Sequence, residues 1–176
     1  MNPKINFYLK RRSIIAKKMG SNPIDKKDLK TILSAGIRVP DHGSLNPWKL
    51  IVIEGKTLSK IDREIILPEY KKKHPEENKD SIEYQARRLQ RAGAVIAVIS
   101  TPVEHPTIPK WEMELSSGAV CMNLLSCTQS IGYAAQWLTE WYSYNDKIAG
   151  FIYIGQKKED PIDRKRPDPK KIIKYL

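Results

Sequence analysis

Apolar and polar positions along the chain fall into two rhythms. Leu29, Ile32, Leu33 and Ile37 recur at spacings of three and four, the repeat of one helix face. Asp25 stands ahead of them as a helix cap, and Pro40 closes the segment. Residues 48–54, WKLIVIE, form a β-rich run ended by Gly55. Residues 94–100, AVIAVIS, are apolar without a break, as in a strand covered on both faces. Residues 111–131 are apolar or small nearly all round, which predicts a central, buried helix.

The remaining pattern is weaker. Residues 6–12 read as a short helix that ends in a basic cluster, and residues 57–66 and 81–92 as helices. The charged segment 68–80 between them lacks a clear period and is expected as an exposed, mobile excursion. Prolines 102, 106 and 109 make a loop. Two further strands follow at 133–138 and 149–155, then a polar, extended tail and a last short helix over 169–175. The order gives a mixed α and β layer structure. It lacks the repeated strand–turn–helix units with Gly-rich turns of a dinucleotide-binding Rossmann domain.

Composition narrows the class. A chain of 176 residues with 40% hydrophobic and 29% charged residues fits one globular domain, 1–176. No window approaches the ~20 apolar residues of a membrane helix. The basic stretch 1–18 lacks the apolar core of a signal peptide, so the cytoplasm is the expected compartment. Cys121 and Cys127 match no zinc or redox spacing and read as two reduced core thiols. Three scattered histidines suggest no metal site.

The net charge is +11, from 31 Lys and Arg against 20 Asp and Glu. Such a balance attracts polyanions. Yet the basic runs are spread along the chain among acids, without interleaved aromatics or a nucleic-acid module. They predict solvated faces rather than a nucleic-acid interface.

Four stretches could carry chemistry. Arg11-Arg12-Ser13 offers two guanidinium forks and a hydroxyl, either to grip a phosphate or to complement a helix dipole. The loop from Arg38 through Asp41, His42, Ser44 and Asn46 to Trp48 is either a polar binding loop or a turn with a buried Trp anchor. Gly132 leads through small residues to Gln136-Trp137-Leu138-Thr139, where Trp137 either stacks on a flat ring or fills the core. Arg164-Lys165-Arg166-Pro167-Asp168-Pro169 is a phosphate clamp or a solvated tail. Neither a Gly-x-Ser-x-Gly elbow nor a Cys/His pair or carboxylate dyad is visible, so hydrolytic chemistry has little support.

Taken in order, these stretches resemble the nitroreductase family, in its smallest bacterial NAD(P)H-dependent branch. The resemblance rests on Arg11-Arg12-Ser13, on residues 35–44 (AGIRVPDHGS) with Pro47-Trp48, and on the strand ending Glu54-Gly55. It continues through Pro109-Lys110-Trp111-Glu112, Ser116-Ser117-Gly118-Ala119, residues 132–139 (GYAAQWLT), residues 147–155 (KIAGFIYIG) and Arg166-Pro167-Asp168-Pro169.

The resemblance implies an α+β fold of three layers, α/β/α, around a central mixed, mainly antiparallel sheet. It implies FMN at the interface of a homodimer and NAD(P)H as electron donor. Electrons would pass by a ping-pong mechanism to a small electron-poor acceptor such as a nitroaromatic, quinone or enone. Arg11, Arg12 and Ser13 would hold the phosphate and ribityl end, with Arg166 as a further contact. Trp137, Leu138 and Thr139 would line the isoalloxazine, and Arg38 and His42 would approach the flavin of the neighbouring subunit. Residues 127–132 match a segment associated with NAD(P)H. The alternative is a flavin-binding protein or carrier without turnover. Two departures from the family pattern stand out. Leu138 replaces a polar or basic residue of some relatives, and residues 141–146 join Lys147 directly where relatives carry a longer connection.

Overall fold

The computed structural model describes residues 2–140 and 147–175. The shortened connection expected at residues 141–146 lies outside the described residues. Helix α1 spans Pro3–Lys10, with the Asn2 side chain accepting from Lys4 N–H and Pro3 in the first turn, where no N–H is needed. A short strand β1, Met19–Gly20, follows. Helix α2 runs Lys26–Gly36, and its cap is Asp25, whose carboxylate accepts from Lys27 and Asp28 N–H. Such a cap contributes ~1 kcal/mol. The helix stops at Gly36, four residues before Pro40.

Strand β2 is Trp48–Glu54. Helix α3, Lys56–Ile61, passes through a wide turn at Asp62–Ile66 straight into α4, Leu67–Lys73. The expected irregular excursion is therefore a helix over much of its length. Its reason is tertiary: Tyr70 is buried, and its hydroxyl donates to Glu77 at 2.9 Å. One aromatic anchor orders a segment whose other residues are polar. Helix α5 covers Lys79–Gln85, shorter than the sequence suggested, and a single turn at Leu89–Arg91 replaces its expected second half.

Strand β3 is Ala94–Ser100, helix α6 is Lys110–Ser130, strand β4 is Ala134–Leu138 and strand β5 is Ile148–Lys157. A last turn of helix, α7, is Pro169–Ile172. The sheet has the order β1-β5-β3-β2, with β4 also paired to β5. Every pairing among the described residues is antiparallel, so the mainly antiparallel expectation holds.

Side-chain alternation along β3 and β5 builds two cores. Ala94, Ile96, Val98, Ile152 and Ile154 meet Ile32 of α2 and Val120, Cys121 and Leu124 of α6. Val95, Ala97, Phe151 and Tyr153 meet Leu58, Ile66 and Leu89 on the opposite face. Helices thus cover both faces, giving the three layers. Gly36 lets α2 approach α6 closely, since a Cβ there would lie 2.3 Å from a Leu124 methyl carbon. Among the described residues no helix is long and apolar enough to cross a membrane.

Candidate functional site

The chain leaves α1 at Arg11 and runs extended beside β4. Ile14 N–H donates to Ala135 C=O at 3.2 Å, and Ala16 N–H donates to Gln136 Oε1 at 2.7 Å. This places Arg11, Arg12 and Ser13 against the start of β4. Gln129, near the end of α6, fixes the turn. Its amide nitrogen donates to Arg12 C=O at 2.7 Å and its oxygen accepts from Arg11 at 3.2 Å.

The C-terminal tail folds back onto the same point. Arg12 Nε donates to Ile162 C=O at 3.2 Å, and Arg166 donates to Arg11 C=O at 3.3 Å. Asp163 accepts from Arg166 at 2.8 Å and lies 3.8 Å from Arg12. A cavity of about 300 Å³ opens here, lined by Arg11, Arg12, Gln129, Tyr133 and Lys157 among others. The Arg11 guanidinium is held below its ordinary pKa, first by burial and then by the nearby Arg166, Arg12 and Arg164. Crowded like charges of this kind favour an anion between them.

Ser13 is half-buried beside these arginines. Arg166, remote in sequence, therefore joins the consecutive Arg11, Arg12 and Ser13 in one cluster. Arg38 and His42 are not in it. Arg38 is exposed just past α2, its C=O accepting from Asn123 of α6 at 2.8 Å. His42 Nδ1 lies 2.8 Å from Glu112 near the start of α6. Glu112 and Gln129 are 17 residues apart on one helix, about 25 Å along its axis. His42 and the arginine cluster thus occupy opposite ends of α6 in one chain.

Trp137 and Leu138 point to opposite faces of the sheet. The Trp137 indole lies on the α6 side and donates to Ala149 C=O at 3.1 Å. That carbonyl belongs to a bulge: β3 pairs Val98 with Gly150 and then Ile99 with Ile148, leaving Ala149 unmatched. Gly150 leaves room for the indole, since a Cβ there would lie 2.0 Å from Trp137 Nε1. Trp137 is 37% exposed, so it is not simply core filling. Leu138 faces the other core, and Thr139 is exposed. Beside the Trp137–Ala149 contact lies a cavity of about 510 Å³, lined by Ser100, Gly118, Ile148 and Ala149 with the charged Lys110, Glu114 and Lys147 among others.

The α6 surface away from the core carries an apolar stripe among polar residues such as Glu114. Trp111, Leu115 and Met122 are exposed at spacings of four and seven, with Gly118 between them. The two thiols stay apart from this chemistry: Cys121 is buried, Cys127 half-buried, and both are reduced. Among the described residues no group of three or more His, Cys, Asp or Glu gathers to hold a metal.

Sequence reasoning missed Gln129 and Asp163. Gln129 was visible as one of the few long polar side chains in the apolar segment 111–131. Asp163 carried no signal, because its role depends on where the tail returns.

Comparison with known proteins follows the same outline. A family sequence model described as "Nitroreductase family" matches residues 8–162. The provisionally named NAD(P)H nitroreductase YdjA of Escherichia coli (strain K12) is 28% identical over 185 residues, covering 98% of this chain and 98% of that one. The structure of the nitroreductase-like family protein from Bacillus cereus matches with a TM-score of 0.80 at 17% identity, over 100% of this chain and 97% of that chain. A nitroreductase with bound FMN from Bacteroides fragilis matches with a TM-score of 0.69 at 16% identity, over the whole of both chains. At these identities the structures establish a shared fold.

Proposed function

This chain belongs to the nitroreductase family, and from that premise we propose that it is an NAD(P)H-dependent flavin oxidoreductase acting as a single domain, in the cytoplasm, with FMN as its cofactor. The observation that carries the reading is the guanidinium cluster, with Arg11 and Arg12 lining one cavity and Arg166 bonded to the Arg11 backbone beside it. Its charge and forked donors fit a phosphate monoester. Arg11 and Arg12 would bind the phosphate, Ser13 the adjoining ribityl hydroxyls, and Arg166 would close the cluster from the tail. Residues 137–139 would line the ring system along β4.

Bound FMN would take electrons from NAD(P)H and pass them, in a separate half-reaction, to an electron-poor acceptor such as a nitroaromatic, quinone or enone. The chain's own task is to bind, orient and shelter. No side chain has to act as acid or base, and His42 is assigned to binding. The cavity of about 510 Å³ lined by Ala149, the partner of Trp137, would give a small acceptor room next to the ring.

The site also calls for a second copy. His42 lies about 25 Å along α6 from the arginine cluster of its own chain, beyond the reach of one flavin ring. A partner whose α6 crosses the exposed Trp111, Leu115 and Met122 would bring its own Arg38 and His42 to that ring. Burying this stripe also removes apolar surface that a lone chain would leave in water. The homodimer and the site are thus one proposal.

The test is spectroscopic. The purified protein is expected to be yellow, with flavin absorbance that NADH or NADPH bleaches without oxygen and that a nitroaromatic restores. A yellow protein bleached by neither nucleotide would instead be a flavin carrier. A colourless protein that takes up no FMN would overturn the reading.

A further inference from the structure

The ring-lining residues 137–139 sit between two anchors, one on β4 and one just past its end, and the second has no place in the site described so far. The first is Gln136, whose side chain accepts from Ala16 N–H at 2.7 Å and so ties β4 to the stretch that follows Ser13. The second is Glu140. It is 6% exposed, and its φ of +55° lies in the left-handed region. A residue with a Cβ adopts that region only where its surroundings hold it.

The surroundings of Glu140 do hold it. One carboxylate oxygen accepts from the Tyr153 hydroxyl at 2.7 Å. The other accepts from Arg88 Nε at 2.9 Å and from a second Arg88 nitrogen. Arg88 is itself steadied by Gln85 at 2.6 Å. Tyr153 stands directly opposite Gln136 in the β4–β5 register. Both anchors therefore meet at one rung of the sheet, and between them Trp137 lies on the α6 side, Leu138 on the opposite side and Thr139 in solvent.

A buried ion pair is a poor stabiliser, because desolvation offsets most of its attraction. Stability alone does not account for a carboxylate, a guanidinium and a left-handed backbone placed here together. They do fix a geometry: the direction in which β4 ends.

We infer that Glu140 is a positioning residue for the flavin ring, its carboxylate clamped by Arg88 and Tyr153 so that the backbone of residues 137–139 is set before the cofactor arrives. The inference rests on the flavin reading above. It assigns to Arg88, Glu140 and Tyr153 a role at the ring end of the site, as the arginine cluster has at the phosphate end. Preorganised backbone dipoles beside a redox centre influence both its affinity and its potential.

The test compares wild type with Tyr153→Phe and with the double variant Arg88→Met, Glu140→Gln. The double variant removes both charges of the pair together, and Tyr153→Phe removes a hydrogen bond without touching either charge, so it serves if the double variant does not fold. Apo-proteins are titrated with FMN and with riboflavin, and the visible circular dichroism and midpoint potential of bound FMN are recorded. The expected result is a loss of about tenfold in affinity for both flavins, with their ratio unchanged and both the dichroism and the potential shifted. Folded variants that keep wild-type affinity, dichroism and potential overturn the inference, even if they melt at lower temperature. A changed ratio of FMN to riboflavin affinity overturns it too, since the effect would then lie at the phosphate. Wild type that binds neither flavin overturns the flavin reading itself, before any substitution is made.

Discussion

The Arg11 guanidinium donates to Gln129 Oε1 at 3.2 Å, across 118 positions of chain. The same Gln129 amide donates to Arg12 C=O at 2.7 Å. One side chain from the end of α6 therefore sets both the direction of Arg11 and the backbone of Arg12. Because Arg12 also meets Ile162 and Asp163 from the tail, the end of α1, the end of α6 and the C-terminal stretch form a single construction.

Arg12→Ala should weaken FMN binding while leaving riboflavin nearly untouched. A charge-assisted hydrogen bond to phosphate is worth ~1.5–3 kcal/mol, or roughly ten- to a hundredfold in affinity. Gln129→Leu should have a smaller effect in the same direction, through misplacement of Arg11. Titration of the two flavins checks both variants, and equal loss for FMN and riboflavin would remove Arg12 from the phosphate.

Leu115→Glu should break the proposed homodimer. Leu115 is 65% exposed in the centre of the apolar stripe on α6, and a carboxylate there would face its own copy near a two-fold axis. Sedimentation velocity is expected to show monomers, and flavin should be lost with the dimer. A variant that stays dimeric and yellow would place the interface on another face.

Gly150→Ala should destabilise the chain by ~1–3 kcal/mol, because its Cβ would intrude on the Trp137 indole and force it from Ala149. Urea unfolding measures the loss. Tryptophan fluorescence should shift as the indole is displaced, and unchanged emission with full stability would contradict the packing.

Asp163 should titrate below the ordinary carboxylate value. The Arg164 backbone N–H is the main cause, and the charges of Arg166 and Arg12 add to it. A lowered folded value means that its contribution to holding the tail is present above the ordinary carboxylate pKa and is lost as pH falls through the folded value. Carboxyl carbon NMR follows the titration directly. In Arg166→Gln the midpoint should move up toward the ordinary value.

Neither cysteine should react readily with a thiol reagent at neutral pH in the folded protein. Burial pushes the Cys121 thiol up to about 12 and raises Cys127 as well, so little thiolate is present. Labelling by a chromogenic disulfide should be slow in buffer and complete for both thiols in denaturant. Rapid labelling of Cys121 in the native state would mean that α6 opens there.

Much of the fold was legible because burial writes a local period into sequence. The alternation in β3 and β5, the spacing of Leu29 and Ile32 and the Asp25 cap each record a neighbourhood of a few residues. Helix α6 departs from its pattern: its all-round apolar character predicts a buried helix, but one side meets the core and the other leaves Trp111, Leu115 and Met122 exposed in the single chain. The ordered stretches at Arg11, Arg38 and Trp137 were also enough to bring out the family.

What the sequence could not decide is which distant groups share a place. It left Arg11-Arg12-Ser13 divided between a phosphate grip and a helix-end charge, and Arg166 between a clamp and a solvated tail. Only the return of the tail joins Arg166 to Arg11, 155 positions away, and only the β4–β5 register sets Tyr153 beside Gln136 and within reach of Glu140. The helical α4 within the charged segment likewise depends on Tyr70 finding a core to enter. Local pattern reports how much of each residue is hidden. The identity of its partner depends on how layers and strand registers bring remote segments together, and that is settled in three dimensions.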